Sequence, residues 1–197
     1  MPITDQMKLR RSRYALTNKL PISDEKLENL IGEVIKQSPS AFNVQSARVV
    51  LLLGEKHHEL WQIVLEGLRK IVPADKFAPT EEKIKSFAAA YGTILYFDDT
   101  VATRGLQEQY PAYADNFPVW AQQANGMLQF AVWTALAEAG IGASLQHYNP
   151  LIDAEVKTKF SLPNCWQLVA QMPFGTSVGA DTEKTYLPLS QRFIVEK

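Results

Sequence analysis

The run Arg48-Val49-Val50-Leu51-Leu52-Leu53-Gly54 sets the fold class. It carries β-branched residues and is nearly all apolar, which predicts a central strand buried on both faces. Two further runs have the same character. Gly92 to Phe97 (G-T-I-L-Y-F) ends in the acidic pair Asp98-Asp99, and Trp166 to Met172 forms the third. Helical patterns lie between them. Ser23-Asp24-Glu25 supplies a capping hydroxyl and two acids where a helix dipole favours negative charge. Leu27, Leu30, Ile31, Val34 and Ile35 follow at the spacing of one buried stripe, which Ser38-Pro39 ends. Glu55 to Ile71 reads as a helix with Leu60, Val64, Leu68 and Ile71 inward, and Thr80 opens a short helix through Ala89.

The longest helical pattern runs from Pro118, at a first helical position, to Glu138, with Gly140 in place of a C-terminal cap. Its apolar positions (Val119, Ala124, Met127, Leu128, Ala131, Val132, Ala135 and Leu136) cover more than one face, so it is expected to be packed on several sides. Ala143 to His147 reads as a short strand, and Asn149-Pro150 begins a helix through Phe160. From Val178 the chain is polar until Phe193-Ile194-Val195. With no repeat, low-complexity tract or linker, residues 1–197 read as one domain of mixed α and β.

Composition narrows the function. Of 197 residues, 46% are hydrophobic and 21% charged, the make-up of a chain with a full core. Lys plus Arg is 20 against 21 for Asp plus Glu, a net charge of −1 that argues against nucleic acid or anionic lipid as partner. Cys165 is the single cysteine, which excludes an intrachain disulfide framework and a Cys-rich zinc site. Beside Trp166 it reads as a packed thiol. No apolar stretch follows the basic cluster at residues 8–13 as a secretory signal requires. The segment Phe130 to Leu145 is interrupted by Glu138 and falls short of the ~20 apolar residues of a membrane span. A soluble protein of a reducing, cytoplasmic compartment is expected.

Several catalytic signatures fail on context. Gly175-Thr176-Ser177-Val178-Gly179 matches a hydrolase nucleophile elbow, but no histidine lies beyond His147 to complete a triad. Gly140-Ile141-Gly142 opens like a dinucleotide fingerprint, yet follows a helix and has Leu145 at the third glycine position. His57 and His58 are adjacent, so in a helix they point about 100° apart and share no ligand face; they read as solvated. Two groups remain. Arg10-Arg11-Ser12-Arg13 is either a solvated basic turn or a phosphate site, since guanidinium forks bind phosphate oxygens bidentately and a hydroxyl adds a donor. Ser38-Pro39-Ser40-Ala41-Phe42-Asn43-Val44-Gln45 is either a hydrogen-bonded loop or a reader of a flat heterocycle through Asn43 and Gln45.

Taken in order, R-R-S near the N-terminus, S-P-S-x-x-N-x-Q, G-I-G-A-S-L-Q-H-Y-N after a long helix, and a basic C-terminal end resemble the FMN-binding signature of the nitroreductase superfamily. The pattern reaches from Arg10 to Arg192 and is most similar to a compact bacterial and fungal subgroup. The resemblance implies an α+β fold, with a central, mainly antiparallel sheet flanked by helices in a homodimer. It implies that Arg10, Arg11 and Ser12 hold the FMN phosphate and ribityl chain, and that Ser40, Asn43 and Gln45 contact the ribityl and pyrimidine side. Gly142 would lie near flavin N5, with Gln146 and His147 close behind, and Lys184 and Arg192 would add phosphate contacts. Three positions depart from the pattern. Tyr14 stands where a cation is usual, with Arg13 or Arg48 the candidates to replace it; Ser46-Ala47 replaces Pro-Trp; and Tyr186 replaces a second C-terminal cation.

The implied activity is an FMN-dependent oxidoreductase with tightly bound FMN. It takes hydride from transiently bound NAD(P)H and reduces nitroaromatics, quinones or similar flat electrophiles by a ping-pong cycle. Because the flavin carries the chemistry, no triad, carboxylate dyad or metal cluster is needed. A flavin-binding regulatory or stress-response protein with little turnover, and a cofactor-free interaction domain, are the alternatives.

Overall fold

The computed structural model describes residues 2–179 and 183–197. In chain order the elements are α1 (Ile3–Leu9), β1 (Leu16–Thr17), α2 (Asp24–Gln37), β2 (Ala47–Leu53), α3 (Glu55–Arg69), α4 (Ala78–Ala88), β3 (Gly92–Asp99), α5 (Thr100–Gln109), α6 (Phe117–Glu138), β4 (Gly142–Ala143), α7 (Asp153–Lys159) and β5 (Trp166–Ser177). The sheet order is β1-β5-β3-β2, with β4 also on β5, and every strand pair is antiparallel. The α+β architecture with helices on an antiparallel sheet is as expected.

β3 is the central strand, and Gly92 through Asp98 are all buried. Alternation along it divides the core into two layers. Leu95 and Phe97 pack with Leu60, Trp61, Val64 and Phe87 from α3 and α4. Ile94 and Tyr96 pack with Leu27, Ile31, Leu128, Val132 and Leu136 from α2 and α6. The Arg48 run becomes β2, which pairs only with β3 among the described residues and so lies at an edge. Its burial is also less than expected: six of its seven residues are half-buried and only Leu52 is buried. Lateral position depends on backbone partners, which side-chain pattern does not report.

Other boundaries moved for local reasons. α3 ends at Arg69, before Pro73, and Ile71 is left 63% exposed. The expected strand Ala143 to His147 is the two-residue β4 plus a single bridge, Gln146 to Gln171. α7 begins at Asp153, not at Asn149-Pro150. β5 continues past Met172 to Ser177, so the elbow-like glycine motif lies largely within a strand. α5 was not expected; the Asp99 carboxylate caps it by accepting from Val101 N at 3.0 Å. His57, read as solvated, is 1% exposed. Its Nδ1 meets Thr93 Oγ1 at 2.9 Å and its Nε2 meets the Ala88 carbonyl at 3.1 Å, while Trp61 Nε1 donates to the same Thr93 oxygen at 2.9 Å. This network ties α3 to β3 and to the end of α4. Burial pushes the His57 pKa down from 6.5 to about 4.

Candidate functional site

Residues 10–13 leave α1 and run beside β4. Ser12 forms a parallel bridge with Ala143, and Arg13 N donates to the Ala143 carbonyl at 2.9 Å. The approach is close enough that any side chain at 142 would press on its neighbours. A Cβ there would lie 3.0 Å from Leu16 Cδ2 and Ser177 Cβ and 3.1 Å from Arg13 Cβ. Arg10 places its guanidinium 4.4 Å from the Trp133 ring centroid. Its Nε is buried with no hydrogen-bond partner, and burial, with the charge of Arg11, lowers its pKa. Arg11, Arg13, Gly142 and Ser177 help line a cavity of about 200 Å³. A buried guanidinium N–H without an acceptor fits an anion, and a phosphate such as that of FMN is one it can take.

The second loop is shaped by backbone strain. Phe42, Asn43 and Gln45 have φ of 54°, 53° and 49°, a conformation that β-carbon contacts disfavour. Ser40 Oγ accepts from Gln45 N at 2.9 Å and closes the loop. Phe42 packs on Tyr110 and Phe117 at 4.8 and 5.4 Å between centroids, and stacks on Trp120 at 6.2 Å with 18° between planes. Arg48 braces the loop exit. Its Nη1 donates to the Gln45 carbonyl at 2.7 Å, and its Nη2 pairs with Asp99 at 2.9 Å. Arg48 is therefore not held open as the replacement for the cation missing at Tyr14. Ser40 and Gln45 border a cavity of about 390 Å³ with Pro39, Ala124 and Leu128. Asn43 is exposed.

One chain does not bring these two groups together. Arg10 sits at Trp133 and Phe42 at Trp120, near opposite ends of α6. Thirteen residues at 1.5 Å per residue put the two about 20 Å apart. The groups also meet the sheet at opposite edges, Ser12 beside β4 and Gln45 just before β2. Gln146 is buried. Its Nε2 donates to Ser144 Oγ at 3.1 Å, and its backbone pairs with Gln171 on both sides. Lys184 and Arg192 lie in an exposed segment, Lys184 with its Nζ 5.2 Å from the Tyr186 ring centroid. Tyr148, next to His147, has its pKa pushed up to about 12 by burial. The strained loop and the orphaned Arg10 nitrogen left no trace in composition or periodicity, because both arise from packing.

No helix among the described residues is long and apolar enough to cross a membrane. A layered α+β fold, with an arginine-lined groove beside β4 and an aromatic-backed amide loop before β2, defines the class of protein. The nitroreductase family profile matches residues 7–176, and the chain belongs to that family. HBN1 of Saccharomyces cerevisiae, named as a nitroreductase, is 36% identical over 180 residues, 90% of this chain and 89% of its own. The nitroreductase CinD of Lactococcus lactis, solved with chloramphenicol, superposes with a TM-score of 0.90 at 42% identity over all of both chains. A second CinD structure, with 4-nitrophenol, gives 0.89 at 43% identity over all of both chains. A structure from Desulfovibrio desulfuricans described as a nitroreductase in complex with FMN shares the fold, with a TM-score of 0.73 at 20% identity, covering all of this chain and 98% of that one.

Proposed function

We propose that residues 1–197 act as one FMN-binding domain of a homodimeric oxidoreductase. It takes hydride from NAD(P)H and reduces nitroaromatics, quinones or similar flat acceptors by a ping-pong cycle in the cytoplasm. The observation that carries this reading is the buried Arg10 Nε without a hydrogen-bond partner, against Trp133 and toward the end of α6 opposite the Ser40–Gln45 loop. Solved relatives bound to 4-nitrophenol and chloramphenicol support the choice of acceptor, and the FMN-bound fold match supports the cofactor.

Bound FMN would accept and pass on the hydride; the chain binds and orients it. Arg10 and Arg11 neutralise the phosphate, and the Ser12 hydroxyl adds a donor. Gly142 lets residues 10–13 and β5 pack closely against β4 and lies near flavin N5. Ser40, Asn43 and Gln45 present hydroxyl and amide groups to the ribityl and pyrimidine side. They come from the partner subunit, since a single chain holds them about 20 Å from Arg10. α6 supplies the means. Val119, Met127 and Phe130 are 54%, 47% and 39% exposed along one stripe, and an added Cβ on Gly126 would meet nothing within 4 Å. Gly126 and Met127 lie midway between Trp120 and Trp133. A two-fold axis there sets each amide loop against the other chain's arginines and buries the stripe.

NADH and NADPH oxidation by FMN-loaded protein, with and without 4-nitrophenol or a quinone, tests the activity. Acceptor-dependent turnover is expected. Bound FMN with no acceptor-dependent oxidation would instead favour a flavin-binding regulatory protein.

A further inference from the structure

Phe42 gains little for itself from the conformation it holds. A bulky side chain rarely adopts the left-handed region, yet Phe42 has a φ of 54°. Its own burial does not offset the strain, because it stays 52% exposed. The conformation is held by polar contacts within the loop instead. Ser40 Oγ accepts from Gln45 N at 2.9 Å, and Arg48, paired with Asp99, donates to the Gln45 carbonyl at 2.7 Å. A bulky residue held in such a conformation and left half open points to a task at its surface.

Aromatic rings back it. Tyr110, Phe117, Trp120 and Tyr113 lie 4.8, 5.4, 6.2 and 6.3 Å from the Phe42 ring, centroid to centroid. Tyr113 also meets Trp120 at 5.9 Å, and Phe117 meets Trp120 edge to face at 5.2 Å. The rings thus brace one another across the loop before β2, the turn after α5 and the first turn of α6. Phe117 is buried, while Tyr113 is 48% exposed. Phe42 and Tyr113 therefore present a fixed aromatic surface, which binds a flat ring by stacking or edge contact at low ordering cost. Their planes differ by 50°. A flat molecule stacked on one meets the other at an angle, and two fused rings reach both more fully than one.

The position of this surface connects it to the reaction. Phe42 immediately precedes Asn43, and consecutive Cα atoms are about 3.8 Å apart. Resting on the reading that Asn43 meets the pyrimidine side of a flavin, we propose that Phe42 and Tyr113 stack on the flat ring of the electron acceptor. They select acceptors with two fused rings over those with one.

The test compares 4-nitrobenzyl alcohol with its two-ring analogue, 4-nitro-1-naphthalenemethanol, which carries the same nitro and hydroxymethyl groups. Equilibrium dialysis against oxidised FMN-loaded protein, without reductant, gives the Kd of each. The two-ring compound is expected to bind about tenfold or more tightly. Phe42→Leu and Tyr113→Leu are each expected to cut that preference about threefold or more, while Phe42→Tyr keeps it within about twofold. Tyr113 lies outside the amide loop, so FMN affinity in Tyr113→Leu stays within about twofold of wild type, and this variant decides if Phe42→Leu loses FMN. A wild-type preference below about twofold, or a preference unchanged by both Phe42→Leu and Tyr113→Leu, overturns the proposal. Variants that sediment as monomers, from a wild type without the preference, also overturn it and assign the rings to the partner chain. Turnover with NADH is a separate readout. Ring preference without reduction of either compound refutes the oxidoreductase reading and leaves the aromatic surface standing; reduction of both without preference refutes the surface alone.

Discussion

If each flavin site joins Arg10 of one chain to Asn43 of the other, two defective variants will repair each other when mixed. Arg10→Ala removes charge-assisted donors to phosphate, and Asn43→Leu leaves a polar cofactor edge unpaired. Each is expected to weaken FMN binding by up to about 3 kcal/mol, or about a hundredfold. At free FMN ten times the wild-type Kd, intact sites are then about 91% filled and single-defect sites about 9%. Dissociating both variants and reassociating them at equal amounts yields dimers in roughly a 1:2:1 ratio. Half of all sites then lie in mixed dimers, and half of those combine an intact Arg10 with an intact Asn43. Total occupancy is expected to be about 27%, three times either parent. Equilibrium dialysis with flavin absorbance as readout measures it. With subunit exchange verified by a tagged-partner pull-down, a mixture that stays at about 9% would show both halves acting within one chain and would refute the shared site.

The remaining expectations concern single residues. His57 is neutral in the fold with a pKa of about 4 against 6.5 unfolded, so the unfolded chain binds more protons between those values and stability falls with acidification. Its contribution is complete above pH 6.5, and about 2 kcal/mol of it is gone by pH 5, measurable by urea titration and absent in His57→Leu. Arg10→Met keeps the stem over Trp133 while removing the donors; FMN affinity measured by fluorescence quenching should fall about ten- to hundredfold with little change in melting temperature. Gly142→Ala forces a carbon to 3.0 Å from Ser177 Cβ and 3.1 Å from Arg13 Cβ. It should destabilise the protein by about 1–3 kcal/mol in urea and loosen FMN together with it.

Local chemistry was readable where a side chain's neighbours in the chain decide its role. Ser23 caps α2 by accepting from Lys26 N, and α6 ends at Glu138, as their residue types require. Leu27 and Ile31 are buried in the stripe that their spacing marks. The apolar runs of β2, β3 and β5 announced a sheet, and R-R-S with S-P-S-x-x-N-x-Q announced the family. What depended on distant partners was not readable. Two adjacent histidines look alike in the chain, yet His57 is sealed against Thr93 and Ala88 while His58 is exposed. Asp98 and Asp99 are the same residue type, and only the turn into α5 and the neighbouring β2 give one a cap and an ion pair and leave the other's oxygen without a donor. The order of strands, and the placing of Arg10 and Asn43 toward opposite ends of α6, follow from which elements bury each other. That choice is made by surfaces far apart in sequence, so tertiary packing alone decided it.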